Sequence, residues 1–172
     1  MLFHFGSDPL KSETVSMFGS LKNLISSLVE QSGLQKLEFT DGRLATAALL
    51  IRVATVNSEM SEARREKINA VLKSCFGLDD LATAQLIHDA AAADRNAVDL
   101  YHFTRQLNDV LDSEGRQQIV KMMWQVIYVD DRANEFESNI IWRTADLLGV
   151  SSRQRIELRQ RVAVDRAALN PV

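Results

Sequence analysis

Two stretches of this chain follow one plan, and that repetition limits its fold more than any other feature. Residues 47–78 and 120–150 each run from a long apolar segment through a short polar turn into an amphipathic segment. They end on Phe76-Gly77-Leu78 and Leu148-Gly149-Val150. In register, Val56-Asn57-Ser58-Glu59 faces Val129-Asp130-Asp131-Arg132, Ser61 faces Asn134, and Arg64 faces Glu137. A helix-turn-helix unit with one apolar stripe cannot bury that stripe alone, so two such units are expected to pack on each other.

The periodicity around the repeats is helical throughout. Over residues 15–31, Met17, Phe18, Leu21, Leu24, Ile25, Leu28 and Val29 recur at spacings of three and four, with Gly33 as a stop. Residues 44–56, capped by Thr40 or Asp41, are apolar almost all round and belong at the centre of a core. Ser61 opens the next helix and Gly77 closes it. Asp79 or Asp80 opens another to about Ala93, where Asp94-Arg95-Asn96 is expected to break it. Further helices are predicted near residues 98–111, from Ser113 to the acidic stretch, and from Asn134 to Gly149. A last one runs from Ser151, with Gln154 in capping-box position, to about Ala168. The fold class is therefore all-α: a single-domain bundle of about seven to eight helices built on two pseudo-symmetric repeats. An N-terminal segment, 1–39, carries one amphipathic helix, and the repeat domain spans 40–168.

Composition narrows the function classes. Only 2 Pro and 7 Gly interrupt a helix-favouring sequence of 172 residues, and the formal charge of −3 gives no general field for nucleic acid. The one cysteine, Cys75, excludes an internal disulfide and reads as a buried, unreactive thiol. No secretory leader and no apolar run of about 18 residues is present, so a cytoplasmic protein without a transmembrane segment is expected. Met1, Leu2, Phe3 and Phe5 leave two roles open: peripheral contact with a membrane or partner, or a strap on the bundle. His4, His88 and His102 show no zinc spacing, and there is no phosphate loop or nucleophile elbow, so no enzyme is expected.

The residues Trp124–Glu137, in which an apolar helix runs into Asp130 and a Glu follows seven positions later, resemble the TerB-like family of tellurite-resistance proteins. So do Ala145–Val150 and Asp99–Arg105, the latter pointing to the short, stand-alone bacterial subgroup. The resemblance covers about residues 40–162. It implies an all-α fold with paired repeats, a setting in tellurite or stress response, and a divalent-metal or acidic interaction site. Asp130 and Glu137 match the family motif. Asp131 stands where the family has Gly, and Asn57, Ser58 and Arg64 stand for Asp, Gly and Glu in the first copy.

Taken physically, Asp130, Asp131, Glu135 and Glu137 put four carboxylates in one turn, enough oxygen for a hard cation such as Ca²⁺, Mg²⁺ or Mn²⁺. The same residues have a second reading. Asn134 and Glu137 have the spacing of a helix cap and its reciprocal partner, and acids suit a helix start. Arg64, set opposite Glu137 by the repeat, predicts a salt bridge in place of a metal. Two functions follow. One is a helical module binding a divalent cation or a basic partner at the acidic turn; the other is a structural or self-associating adaptor without a metal site. Tyr101 is a candidate contact residue. The arginines at 153, 155, 159, 161 and 166, interleaved with Glu157 and Asp165, read as a solvated helix face.

Overall fold

The computed structural model describes residues 41–57 and 59–169. They form α1 (Asp41–Thr55), α2 (Glu62–Phe76), α3 (Asp80–Asn96), α4 (Tyr101–Val110), α5 (Ser113–Ile127), α6 (Glu135–Leu147) and α7 (Ser152–Leu169). A turn of 3-10 helix, Tyr128–Asp130, continues α5, and no strand occurs among the described residues. The helix expected over residues 15–31, the apolar start and the boundary near residue 40 lie outside them.

The first helix of each repeat makes the centre. In α1, Ala45, Ala47, Ala48, Leu49, Leu50, Val53 and Ala54 are fully buried, and α2 to α6 all pack against it. Its four buried alanines keep the backbone accessible to close neighbours while Leu49 and Leu50 fill the space between them. In α5 the equivalent role falls to Ile119, Val120, Met123, Trp124, Val126 and Ile127. Each large side chain removed from water here stabilises the fold by about 1.5–3 kcal/mol.

Local chemistry sets most helix ends. Ser61 caps α2 by accepting from Arg64 N at 3.2 Å, Asp79 caps α3 from Ala82 N at 2.8 Å, and Asp112 caps α5 from Gly115 N at 2.8 Å. Gly77 and Gly149 close the two repeats with left-handed φ of 61° and 70°, where a side chain would be strained. The Ser151–Gln154 box opens α7, with Ser151 N donating to Gln154 Oε1 at 2.9 Å and Gln154 N to Ser151 Oγ at 3.3 Å.

Two expectations are corrected. Asp94-Arg95-Asn96 does not break α3, because Arg52 on α1 reaches its end. Its Nε donates to Asp94 Oδ1 at 2.6 Å, and its Nη2 donates to the carbonyls of Asp94 and Ala97 at 3.2 and 3.3 Å. The charge meets the negative end of the helix dipole and carries the helix to Asn96. The basic face of α7 is not simply solvated either. Only Leu158 and Val162 of α7 are buried, and arginines do much of its attachment. Arg159 lies over the Trp124 ring at 5.0 Å and donates to Tyr128 Oη at 2.9 Å, while Arg155 lies over Trp142 at 5.2 Å and pairs with Asp146 at 2.8 Å. Cys75 is half-buried, and burial pushes its thiol up to about 11 against the opposing charge of Arg43. No helix among the described residues is long and apolar enough to cross a membrane.

Candidate functional site

The two polar turns meet where α2 begins and α5 ends. Arg64, in the first turn of α2, is 7% exposed, and its guanidinium points between the repeats. Each of its nitrogens faces an oxygen from a different element. Nε lies 2.8 Å from Asp130 Oδ2, Nη2 lies 2.7 Å from Glu137 Oε1, and Nη1 donates to the Ala54 carbonyl at 3.2 Å. The Nε contact is ionic, without the alignment of a hydrogen bond. The salt bridge predicted from the repeat register is therefore present, and it reaches one carboxylate further than predicted.

Glu137 is 2% exposed and serves two elements at once. Its Oε1 meets Arg64, while its Oε2 accepts from Asn134 N at 2.9 Å, and its own N donates to Asn134 Oδ1 at 2.9 Å. The capping box at the start of α6 is complete. A buried carboxylate without such partners would cost several kcal/mol, so the cap and the guanidinium together let it remain inside.

Asp130 ends the 3-10 turn, at the unfavourable negative end of the α5 dipole. Two features offset this. Ser61, the cap of α2, donates Oγ to Asp130 Oδ2 at 2.8 Å, which sets the carboxylate against the positive start of α2, and Arg64 adds a full charge. Ser61 thus caps its own helix and bridges to the other repeat.

The acids do not converge on one point. Asp130 and Glu137 meet at Arg64. Asp131 turns away to Arg166 on α7, which also donates Nη1 to its carbonyl at 3.1 Å. Glu135 is exposed in the first turn of α6. Of Asp130, Asp131, Glu135 and Glu137, the structure therefore brings together only Asp130 and Glu137: the chain bends sharply at Asp131, and Arg64 and Arg166 face different carboxylates. Among the described residues no group of three or more His, Cys, Asp or Glu is placed to hold a metal ion.

That bend is itself unusual. Asp131 has φ 74° and ψ −40°, and Arg132 N donates to Asp130 O at 3.0 Å, closing a γ-turn of the strained, positive-φ kind. It is the only non-glycine residue with positive φ among the described residues. Sequence reasoning missed Ser61 as an inter-repeat contact, and it missed Arg166 and the Ala54 carbonyl. For Ser61 the register opposite Asn134 was a signal; for the other two no local pattern exists.

The family model described as Tellurite resistance protein TerB matches residues 43–160. The chain belongs to the TerB family. The match spans both repeats and the arginine–carboxylate node between them, and it stops within α7. No curated protein and no solved structure matches the chain. In this chain the second repeat contributes Asp130 and Glu137, and the first presents Arg64 to them. The guanidinium of Arg64 occupies the space between these oxygens.

Proposed function

We propose that this TerB-like module is a cation-independent helical adaptor: a non-enzymatic protein of the cytoplasm that works through its surface rather than through a bound metal. The observation that carries this reading is Arg64, whose guanidinium already satisfies Asp130 and Glu137 at 2.8 and 2.7 Å. Arg166 does the same for Asp131. The chain's own arginines do what a divalent cation or a basic partner would do at this turn. Contact with a protein partner, or with a second copy, falls to other surfaces. Val98 and Tyr101, 97% and 57% exposed at the start of α4, are apolar side chains that such contact would cover. Tellurite or wider stress response is the setting that the family name suggests.

The test is thermal unfolding of the chelator-treated protein with Ca²⁺, Mg²⁺ or Mn²⁺ added singly. A cation at 100 times its Kd stabilises a native state by about 2.7 kcal/mol, an easily read rise in Tm. The adaptor reading expects no rise with any of the three. A rise that Asp130→Asn/Glu137→Gln abolishes would overturn it and restore the acidic turn as a cation site.

A further inference from the structure

We infer that the Arg64 guanidinium is the resident cation of an oxygen cage, and that this one side chain keeps a divalent-metal site closed. The inference rests on the cation-independent reading above and goes one step deeper, to what the node is built to hold.

The oxygens around Arg64 come from three separate elements. Asp130 Oδ2 comes from the turn after α5, Glu137 Oε1 from α6, and the Ala54 carbonyl from the end of α1. Ser61 Oγ, from the start of α2, touches the same Asp130 oxygen at 2.8 Å. Ser61 holds that carboxylate in place rather than facing the guanidinium, which leaves two carboxylates and a carbonyl around one cationic group, oxygens of the kind a hard cation takes, with water completing the shell. The set carries two negative charges, and the guanidinium returns one. A divalent ion would neutralise both.

An arginine faces all three elements of such a cage at once. Its planar fork offers nitrogens in three directions, whereas an ammonium is a compact point on a flexible stem. Arg64 spends all three nitrogens here, one on each element. It thereby ties both repeats together as a shared metal would, at any cation concentration. The turn is thus held in one arrangement permanently instead of conditionally.

The experiment is titration of Mn²⁺ followed by the electron-spin-resonance signal of the free ion, on the full chain and on Arg64→Gln. The amide removes the charge while keeping a polar group near the Ala54 carbonyl. Parent protein is expected to show no saturable uptake. Arg64→Gln is expected to take up Mn²⁺ saturably, roughly tenfold or more tighter than the parent, and adding Glu137→Gln is expected to abolish the gain. Arg64→Lys, which keeps a cation in the cage, should behave as the parent does.

Arg64→Gln binding no tighter than the parent would overturn the inference while leaving the adaptor reading intact. Tight uptake by the parent itself would overturn both. If Arg64→Gln is unfolded without metal, the expected result is recovery of its far-ultraviolet helical signal on adding Mn²⁺ and its loss with chelator. No recovery would overturn the inference.

Discussion

The two turns of the repeat share an outline and do opposite jobs. The first, residues 56–64, delivers a serine cap, Ser61, and the guanidinium of Arg64. The second, from Tyr128 to Asn134, keeps its acids and delivers Asp130 and Glu137. Two acidic copies facing each other would repel and need an outside cation to hold them. An arginine in one copy facing two carboxylates from the other needs nothing from outside. The difference between the repeats makes the two turns complementary instead of self-repelling.

The second turn also contains its own contrast. Arg64 and Glu137 have side chains 8% and 2% exposed, whereas Asp131, facing Arg166, is 85% exposed. Both are arginine–carboxylate pairs, but burial separates their energetics. An exposed pair contributes about 0–1 kcal/mol, while removing one partner of a buried pair leaves an uncompensated charge at a cost of about 3–5 kcal/mol.

The largest expected effect is therefore at the buried node. Arg64→Ala should lower the unfolding free energy by about 3–5 kcal/mol, measured by urea denaturation. Loss of only a few tenths would erase the difference between the two pairs. Replacing both charges together, as Arg64→Met/Glu137→Leu, should return part of that loss, because neither partner of the pair is left charged and alone, while the Asn134 N–H and Asp130 still lose their contacts. A double variant as unstable as Arg64→Ala would mean that packing, not charge, dominates the node.

Asp131 comes next. Its φ of 74° suits glycine, so Asp131→Gly should be more stable than Asp131→Ala by about 1–2 kcal/mol, since only the first relieves the backbone. Equal stabilities would show that the γ-turn opens without consequence. The smallest effect belongs to Arg166→Ala, which should cost about 1 kcal/mol or less globally. Faster amide hydrogen exchange should be confined to the last turns of α7 and the γ-turn. Exchange that spreads into α5 would contradict the surface character of that pair.

These contrasts also mark what was legible in the sequence. Caps act over three or four residues, so Ser61, the Asn134–Glu137 box, Gly77, Gly149 and the Ser151–Gln154 box could be read directly, and the structure bears them out. The Arg64–Glu137 pair was legible only because the repeat supplied a register across 73 positions, 137 against 64. What escaped was long-range and had no register to carry it. Arg52 meets Asp94 at a separation of 42 and Arg166 meets Asp131 at 35, so the length of α3 and the anchoring of α7 followed from contacts that no local pattern encodes. The placement of the acidic stretch follows the same logic. Four carboxylates within eight residues look convergent on a line of text, but a positive-φ residue between them sends the chain, and Asp131 with it, another way.

The most direct test of the central claim is a double-mutant cycle on Arg64→Ala and Glu137→Gln, with stability read from denaturant unfolding at neutral pH. If Arg64 and Glu137 hold the repeats together through each other, the two losses will be far from additive. The second change should add little to the first, with a coupling of about 2 kcal/mol or more. Additive losses, within about 0.5 kcal/mol, would mean that each residue acts on its own helix alone and that no ionic link joins the two repeats.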